Sequence, residues 1–276
     1  MKTKMSLPSK LYTAMILLFL YAPIGVLIAF SFNASNSTAV FEGFSFKWYG
    51  ELFRDSMTLN ALRNTLIIAV GSSVFATVLG TAAAVGINAY KSKPIKNSVM
   101  SVTNIPMMNP EIVTGISMMF LFVFIGRMLS VSNVLGFWTL LIAHITFNLP
   151  YVILNVLPKL RQTDVHLSEA AMDLGCTPAK AFFKVVLPAI MPGILSGLIM
   201  AFTLSLDDFI ISHFVSGPAS QTLPLRIYAM TKKRVTPDMY ALSTLIFVTI
   251  LLLLLLTNLS QTRADKKANK IVKIAK

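Results

Sequence analysis

The chain has 276 residues, 55% of them hydrophobic and only 13% charged, with a mean hydropathy of +0.72. That balance excludes a water-soluble globular domain. The formal charge of +13 is divided among the N-terminus, alternate loops and the C-terminal tail, a membrane-orientation pattern rather than a nucleic-acid footprint.

A bilayer core about 30 Å thick needs roughly 20 mostly apolar residues per helix. Segments 11–32, 64–90, 98–126, 136–158, 189–212 and 240–260 meet that length. They predict an all-α membrane protein with six transmembrane helices, embedded over about 11–260 of a single domain, 1–276. The first segment follows Lys2, Lys4 and Lys10, as a secretory signal would. It is longer than a typical signal core and lacks a clear small-x-small cleavage site, so it is expected to be an uncleaved span.

The loop 33–63 holds Phe41, Phe44, Phe46, Trp48, Tyr49 and Phe53. Trp48, Tyr49, Leu52 and Phe53 fit one side of a short helix, with Lys47, Glu51 and Arg54 elsewhere. Such a helix could rest at the membrane interface, or it could present aromatic faces to an external partner or a cationic solute. The second span is rich in Gly, Ala and Ser, which lets helix backbones approach closely in lipid. The third contains Asn104-Ile-Pro-Met-Met-Asn-Pro-Glu111, and its two prolines predict a kink or break. Asn109 is the expected N-cap of a half-helix beginning at Pro110 and Glu111.

Between the fourth and fifth spans lies Ser168-Glu-Ala-Ala-Met-Asp-Leu-Gly-Cys-Thr-Pro-Ala-Lys-Ala-Phe-Phe-Lys-Val-Val-Leu-Pro188. Leu167 to Leu174 are good helix formers, and Gly175 can take the left-handed conformation that ends a helix. Thr177 then offers an N-cap, and Pro178 suits the first helical position. Two short helices joined by a tight corner are predicted. The loop 213–239, with Gly217-Pro218 and Leu223-Pro224, stays apolar throughout and predicts a folded re-entrant segment rather than a simple turn.

Lys and Arg at the N-terminus, at 91–96, at 159–184 and from Arg263 onward place those parts in the cytoplasm. Both termini, the loop 159–188 and the tail 261–276 are therefore expected inside, and 33–63 and 213–239 outside. The last loop opposes this with Arg226, Lys232, Lys233 and Arg234 against Asp238, but the alternation of spans requires it outside. The single cysteine, Cys176, excludes an internal disulfide and suits the reducing side.

Away from their ends the spans carry no Lys or Arg but three acids, Glu111, Asp207 and Asp208. An intramembrane acid needs a cavity or a partner. Adjacent helical residues diverge by about 100°, so only one of the two aspartates can face a given pore squarely. Acids without bases favour a cationic solute; whether the aspartates touch it or serve structure or gating stays open. His144, His166 and His213 lack metal-ligand spacing, and there is no phosphate-binding G-x-x-x-x-G-K-[ST] and no catalytic constellation. The chain is therefore expected not to be an enzyme and to hold no cofactor or metal.

The sequence Glu169-Ala-Ala171, Gly175 and Leu187-Pro188 resembles the EAA loop of bacterial ABC importer permeases, with Val185 where that pattern has Ile. Phe46-Lys-Trp-Tyr49, Met108-Asn-Pro-Glu-Ile-Val113, Gly136-Phe-Trp-Thr-Leu140, His144-Ile-Thr-Phe147, Ser205-Leu-Asp-Asp208 and Leu223-Pro-Leu-Arg-Ile-Tyr228 extend the resemblance to spermidine/putrescine importer permeases of PotC type. That family usually has Asp where Glu111 stands. The resemblance implies a type I ABC importer permease fold in a bacterial inner membrane. It implies a heterodimer with a second permease, a dimeric ATPase that binds ATP and Mg, an external polyamine-binding protein, and no nucleic acid. Coupling to the ATPase would fall to Glu169, Ala170, Ala171, Gly175, Leu187 and Pro188. The substrate path would draw on Glu111, Asp207, Asp208 and Trp48. An importer for ferric iron, an opine or another small cation is the alternative within the class, and a secondary transporter lies outside it.

Overall fold

The computed structural model describes residues 6–37, 40–90, 92–164, 166–232, 237–252 and 255. They are helical throughout, apart from turns and one isolated bridge between Asn33 and Phe44. Among the described residues the chain divides into two compact units, 6–59 with 227–255, and 60–226.

In the first unit, α1 (Leu7–Ser31) is apolar on every side, and only Ser31 is buried within the chain. Its uncovered surface is suited to lipid or to another subunit. Beyond it the loop folds around Asn33, whose side chain donates to the carbonyls of Ser37 and Val40 and accepts from the N–H groups of Ser35 and Glu42. This loop leads into α2 (Lys47–Leu52), whose Trp48 and Leu52 face inward. Phe30 near the end of α1 meets Tyr240 edge-on, in the helix that runs from Pro237 to Leu252. Residues 253, 254 and 256–260 of the expected last span lie outside the described residues.

The helix α3 (Ser56–Ala89) begins earlier than the predicted second span and carries the chain from the first unit into the second. At 1.5 Å per residue its 34 residues extend about 51 Å, longer than a bilayer core. In the second unit, α6 (Phe137–Gln162) is the central helix, buried along most of its length. Ala76 and Ala84 of α3 share a core with Val152, Ile153, Val156 and Leu160 of α6.

The predicted third span, 98–126, is two helices, α4 (Lys93–Met108) and α5 (Glu111–Met128). Pro110 has no N–H to continue the ladder, and Asn109 before it is extended at ψ 137°. Only α5 is long and apolar enough to cross a membrane; α4, with Lys93, Lys96 and Asn104, is an amphipathic helix laid on α6. Asn109 closes α4 instead of capping α5, whose preceding residue is Pro110.

The helices α7 (His166–Asp173) and α8 (Pro178–Ala181) form the predicted corner. A π-turn, Phe182–Val186, joins α8 to α9 (Leu187–Asp207) in one apolar run from Pro178 to Asp207. Leu187 and Pro188 thus open a membrane-spanning helix rather than belonging to the corner. The fifth span was expected to continue to 212, yet it breaks at Asp208 and resumes as α10 (Ile210–Val215). A 3-10 turn (Pro218–Ser220) and α11 (Leu223–Thr231) follow, giving the expected folded segment. Asn64 and Thr65 of α3 tie it down: the Asn64 amide donates to the carbonyls of Ala219 and Gln221, and the Leu223 N–H donates to the Thr65 hydroxyl at 2.7 Å.

Candidate translocation and coupling sites

Ending α9 at Asp207 leaves the first N–H groups of α10 without helical partners. Asp208 supplies them: one carboxylate oxygen accepts from Ile211 N at 3.2 Å and the other from Ser212 N at 2.8 Å. The residue is only 8% exposed. A carboxylate at that depth requires a partner, and His144 of α6 provides it, with Nε2 3.4 Å from the same oxygen that Ser212 donates to.

His144 is itself 1% exposed and held at both ring nitrogens. Its Nδ1 lies 2.6 Å from the Ser205 hydroxyl and its Nε2 3.1 Å from the Ser212 hydroxyl. Ser205 meets Ser72 of α3 at 2.9 Å, and the Asn148 amide of α6 donates to Ser72 at 3.5 Å. One consistent direction runs along this chain. Asn148 donates to Ser72, Ser72 to Ser205, and Ser205 to Nδ1 of His144, leaving an N–H at Nε2 to face Asp208. Four helices, α3, α6, α9 and α10, meet in this one buried network.

Asp207 is exposed, as is Glu111 in the first turn of α5. The two aspartates face different surroundings because Asp207 ends α9, whereas Asp208 lies beyond it in extended backbone at ψ 123°. The structure nevertheless brings the acids of the third and fifth spans together, because α5 packs against α10. Glu111 lies within electrostatic reach of both Asp208 and Asp207, and Tyr151 of α6 lies within reach of Glu111. Two exposed carboxylates, one of them with a phenol ring within reach, form a surface suited to an ammonium group.

Trp48 lies in the first unit and is 7% exposed. Its indole N–H donates to the Asn33 carbonyl at 2.7 Å, and the Lys47 ammonium stands 4.7 Å from its ring centroid. The ring closes the Asn33 loop and already has a cation over it, so its geometry is that of a packing anchor. Phe44 and Phe46 carry the exposed aromatic surface of this loop, with Phe32 stacked on Phe44 at 5.0 Å.

At the corner, Cys176 N donates to Ala171 O at 3.0 Å and Gly175 N to Met172 O at 2.9 Å, with Gly175 at φ +85°. This pair of bonds closes α7 as a left-handed C-terminal cap. The Thr177 hydroxyl accepts from Lys180 N, and Pro178 fills the first turn of α8 as expected. Glu169 and Ala170 are exposed, but Ala171 is buried and faces the chain's own interior, where α7 packs on α8 and the π-turn. Leu174 is 87% exposed and Phe183 64%, an uncovered apolar pair beside the corner. His166 Nδ1 lies 2.8 Å from the Glu169 carboxylate, and that bond, with the charges of Asp164 and Glu169, raises the imidazole above its ordinary value.

Sequence reasoning missed the buried network and Tyr151. His144 was visible only as part of a motif, although an ionisable residue inside a span calls for a partner, and Asp208 was an acid awaiting one. No group of three or more His, Cys, Asp or Glu suited to a metal occurs among the described residues.

Residues 76–270 match the family described as binding-protein-dependent transport system inner membrane component. The putrescine transport system permease protein PotI of Escherichia coli (strain K12) is 42% identical over 228 residues, covering 83% of this chain and 81% of that protein. The spermidine/putrescine transport system permease protein PotC of the same strain is 40% identical over 243 residues, covering 87% and 89%. Among solved structures, a bacterial ABC transporter involved in import of the acidic polysaccharide alginate superposes with a TM-score of 0.72 at 20% identity, covering 93% of this chain and 95% of that one. This last likeness concerns the fold alone. The chain belongs to the family of inner membrane components of binding-protein-dependent transport systems.

Proposed function

We propose that this chain is a membrane-spanning subunit of an ATP-driven polyamine importer, forming part of the path for putrescine or spermidine. The observation that carries the reading is the approach of Glu111 and Asp207, both exposed and within electrostatic reach of each other, with Tyr151 within reach of Glu111. A flexible polyammonium ion needs spaced carboxylates and an aromatic face, and an anion importer would present bases or helix N-termini instead. Putrescine is named in both permeases cited above, which supports the same substrate class. Asp208 stands behind this surface and Trp48 in the external loop; neither is assigned here as the principal contact.

In this reading 1–276 works as one permease domain, paired with a second permease and served by an external polyamine-binding protein. Two ATPase subunits bind ATP and Mg on the cytoplasmic side. They dock on the loop 159–188 at its corner, through Glu169 and Ala170, with Leu174 and Phe183 as apolar anchors. Ala171 and Gly175 hold the corner's shape, while Leu187 and Pro188 start the helix that carries the motion inward. ATP-driven docking thereby biases the path between inward- and outward-facing states.

Uptake of labelled putrescine and spermidine, normalised to assembled complex, tests the path. A single exposed ion pair contributes on the order of 1 kcal/mol, so Glu111→Gln or Asp207→Asn alone is expected to lower uptake about fivefold. The double variant is expected to lose most of it. Wild-type uptake of both polyamines by the double variant sinks the assignment.

A further inference from the structure

We infer that His144 and Asp208 act as a positioning pair. They hold the break in the fifth span that sets where Asp207 stands, and Asp208 is not itself a substrate ligand. The inference rests on the polyamine reading above for its effect on transport, but its geometry stands on the buried network alone.

Both oxygens of Asp208 are already engaged, one by Ile211 N and the other by Ser212 N with His144 Nε2 beside it. An incoming ammonium would have to displace bonds that keep α10 folded. His144 is in turn fixed through Ser205 and Ser72, so the break is anchored on α6 and α3 and cannot drift with α9 alone. Its position is transmitted to the other acid. A Cβ at Gly115 of α5 would stand 3.0 Å from the Phe214 ring and 3.5 Å from the Ile210 carbonyl, so α5 and α10 are in backbone-level contact. Glu111 lies one turn before Gly115 on α5. A displaced α10 therefore carries Glu111 with it and changes its spacing from Asp207, the distance that a diamine or triamine must match.

The test uses the assembled importer in proteoliposomes, with three readouts: amide exchange in the peptide 209–216, uptake per ATP hydrolysed, and the spermidine-to-putrescine uptake ratio in competition. His144→Leu and Asp208→Asn are each expected to speed exchange and to lower uptake per ATP about tenfold, the factor for losing a charge-assisted hydrogen bond. Both polyamines should fall, with a change in their ratio that accompanies the faster exchange, and the double variant should be no worse than the worse single one. His144→Gln, which keeps an N–H directed at Asp208, should recover most of the loss; Ser205→Ala is the milder variant if His144→Leu does not assemble. Asp207→Asn should instead shift the uptake ratio and leave exchange unchanged. A shifted ratio in Asp208→Asn with normal exchange, or additive effects of the two variants, overturns the inference. If the wild-type assembly moves neither polyamine, the polyamine reading fails, and exchange together with uncoupled ATPase activity still decides whether the pair holds the break.

Discussion

Nothing lies within 4 Å of the place where a Cβ on Gly175 would stand, so a side chain there meets no steric obstacle. Its cost is backbone strain, because φ +85° is a conformation that L-residues avoid by about 1–2 kcal/mol. Gly175→Val is therefore expected to leave membrane insertion intact and to displace α8 from its docking position. Transport and substrate-stimulated ATPase activity should both fall; normal coupled transport in Gly175→Val would remove the corner from the coupling role. His166, nearby, gives a pH dependence of fixed sign. Its imidazolium is favoured by the hydrogen bond to Glu169 first, and then by the charges of Asp164 and Glu169. The raised group stabilises the start of α7 fully below its ordinary value of 6.5, and that contribution disappears as pH rises through the raised value. Amide exchange in α7 is expected to quicken as pH rises above the ordinary value of 6.5, beyond the intrinsic base catalysis, and this excess should vanish in His166→Gln. An equal excess in the variant excludes the His166–Glu169 bond as its source.

Helix α9 lies against α6 at backbone distance. A Cβ at Gly193 would stand 2.9 Å from the Asn155 carbonyl of α6, an obstacle that cannot rotate away. Gly193→Ala is thus expected to cost about 1–3 kcal/mol, as overpacking does, despite alanine's better helix propensity. Gly86→Ala in α3, with open space around it, should be neutral or slightly stabilising. Thermal unfolding of the two solubilised variants checks this, and equal midpoints would show that the α6–α9 contact yields. The same elements explain what was legible in advance. Spans of α1, α3 and α6 follow from hydropathy, since a bilayer imposes one length on any helix that crosses it. The corner was legible because Gly175, Thr177 and Pro178 act through their own backbone and side-chain chemistry. The break after α4 was legible from Pro106 and Pro110, although Asn109 proved to close α4 rather than open α5. The break after α9 was not, because Ser205-Leu-Asp-Asp-Phe209 holds neither Pro nor Gly. That break is secured by His144, 64 residues earlier than Asp208 in the chain, and no local pattern encodes such a contact. The π-turn at Phe182–Val186 likewise leaves no mark in the sequence.

At the scale of the whole molecule the orientation across the membrane is the remaining determinant, since it decides which end of the path meets which partner. The N-terminal lysines, Lys93 and Lys96 of α4, the basic residues around the corner and the tail from Arg263 all favour the cytoplasm. The segment after α11 opposes them, with Lys232, Lys233 and Arg234 close together. The positive-inside rule is a sum over the short loops, and here one loop is outvoted by the others. Lys232 also has a local partner, its ammonium lying 4.7 Å from the Tyr228 ring centroid, which tempers the desolvation of that charge at an interface. We therefore expect both termini and the corner inside, and 33–63 and 213–239 outside. Labelling with a membrane-impermeant thiol reagent checks this directly. In the natural chain Cys176 should react only after the cytoplasmic face is exposed. On a Cys176→Ser background, Lys232→Cys should react from the external face of intact cells whose outer membrane has been permeabilised. Reaction of Lys232→Cys from the cytoplasmic face alone would place the segment after α10 inside. The acid cluster at the α9–α10 break would then open toward the ATPase rather than toward the external binding protein.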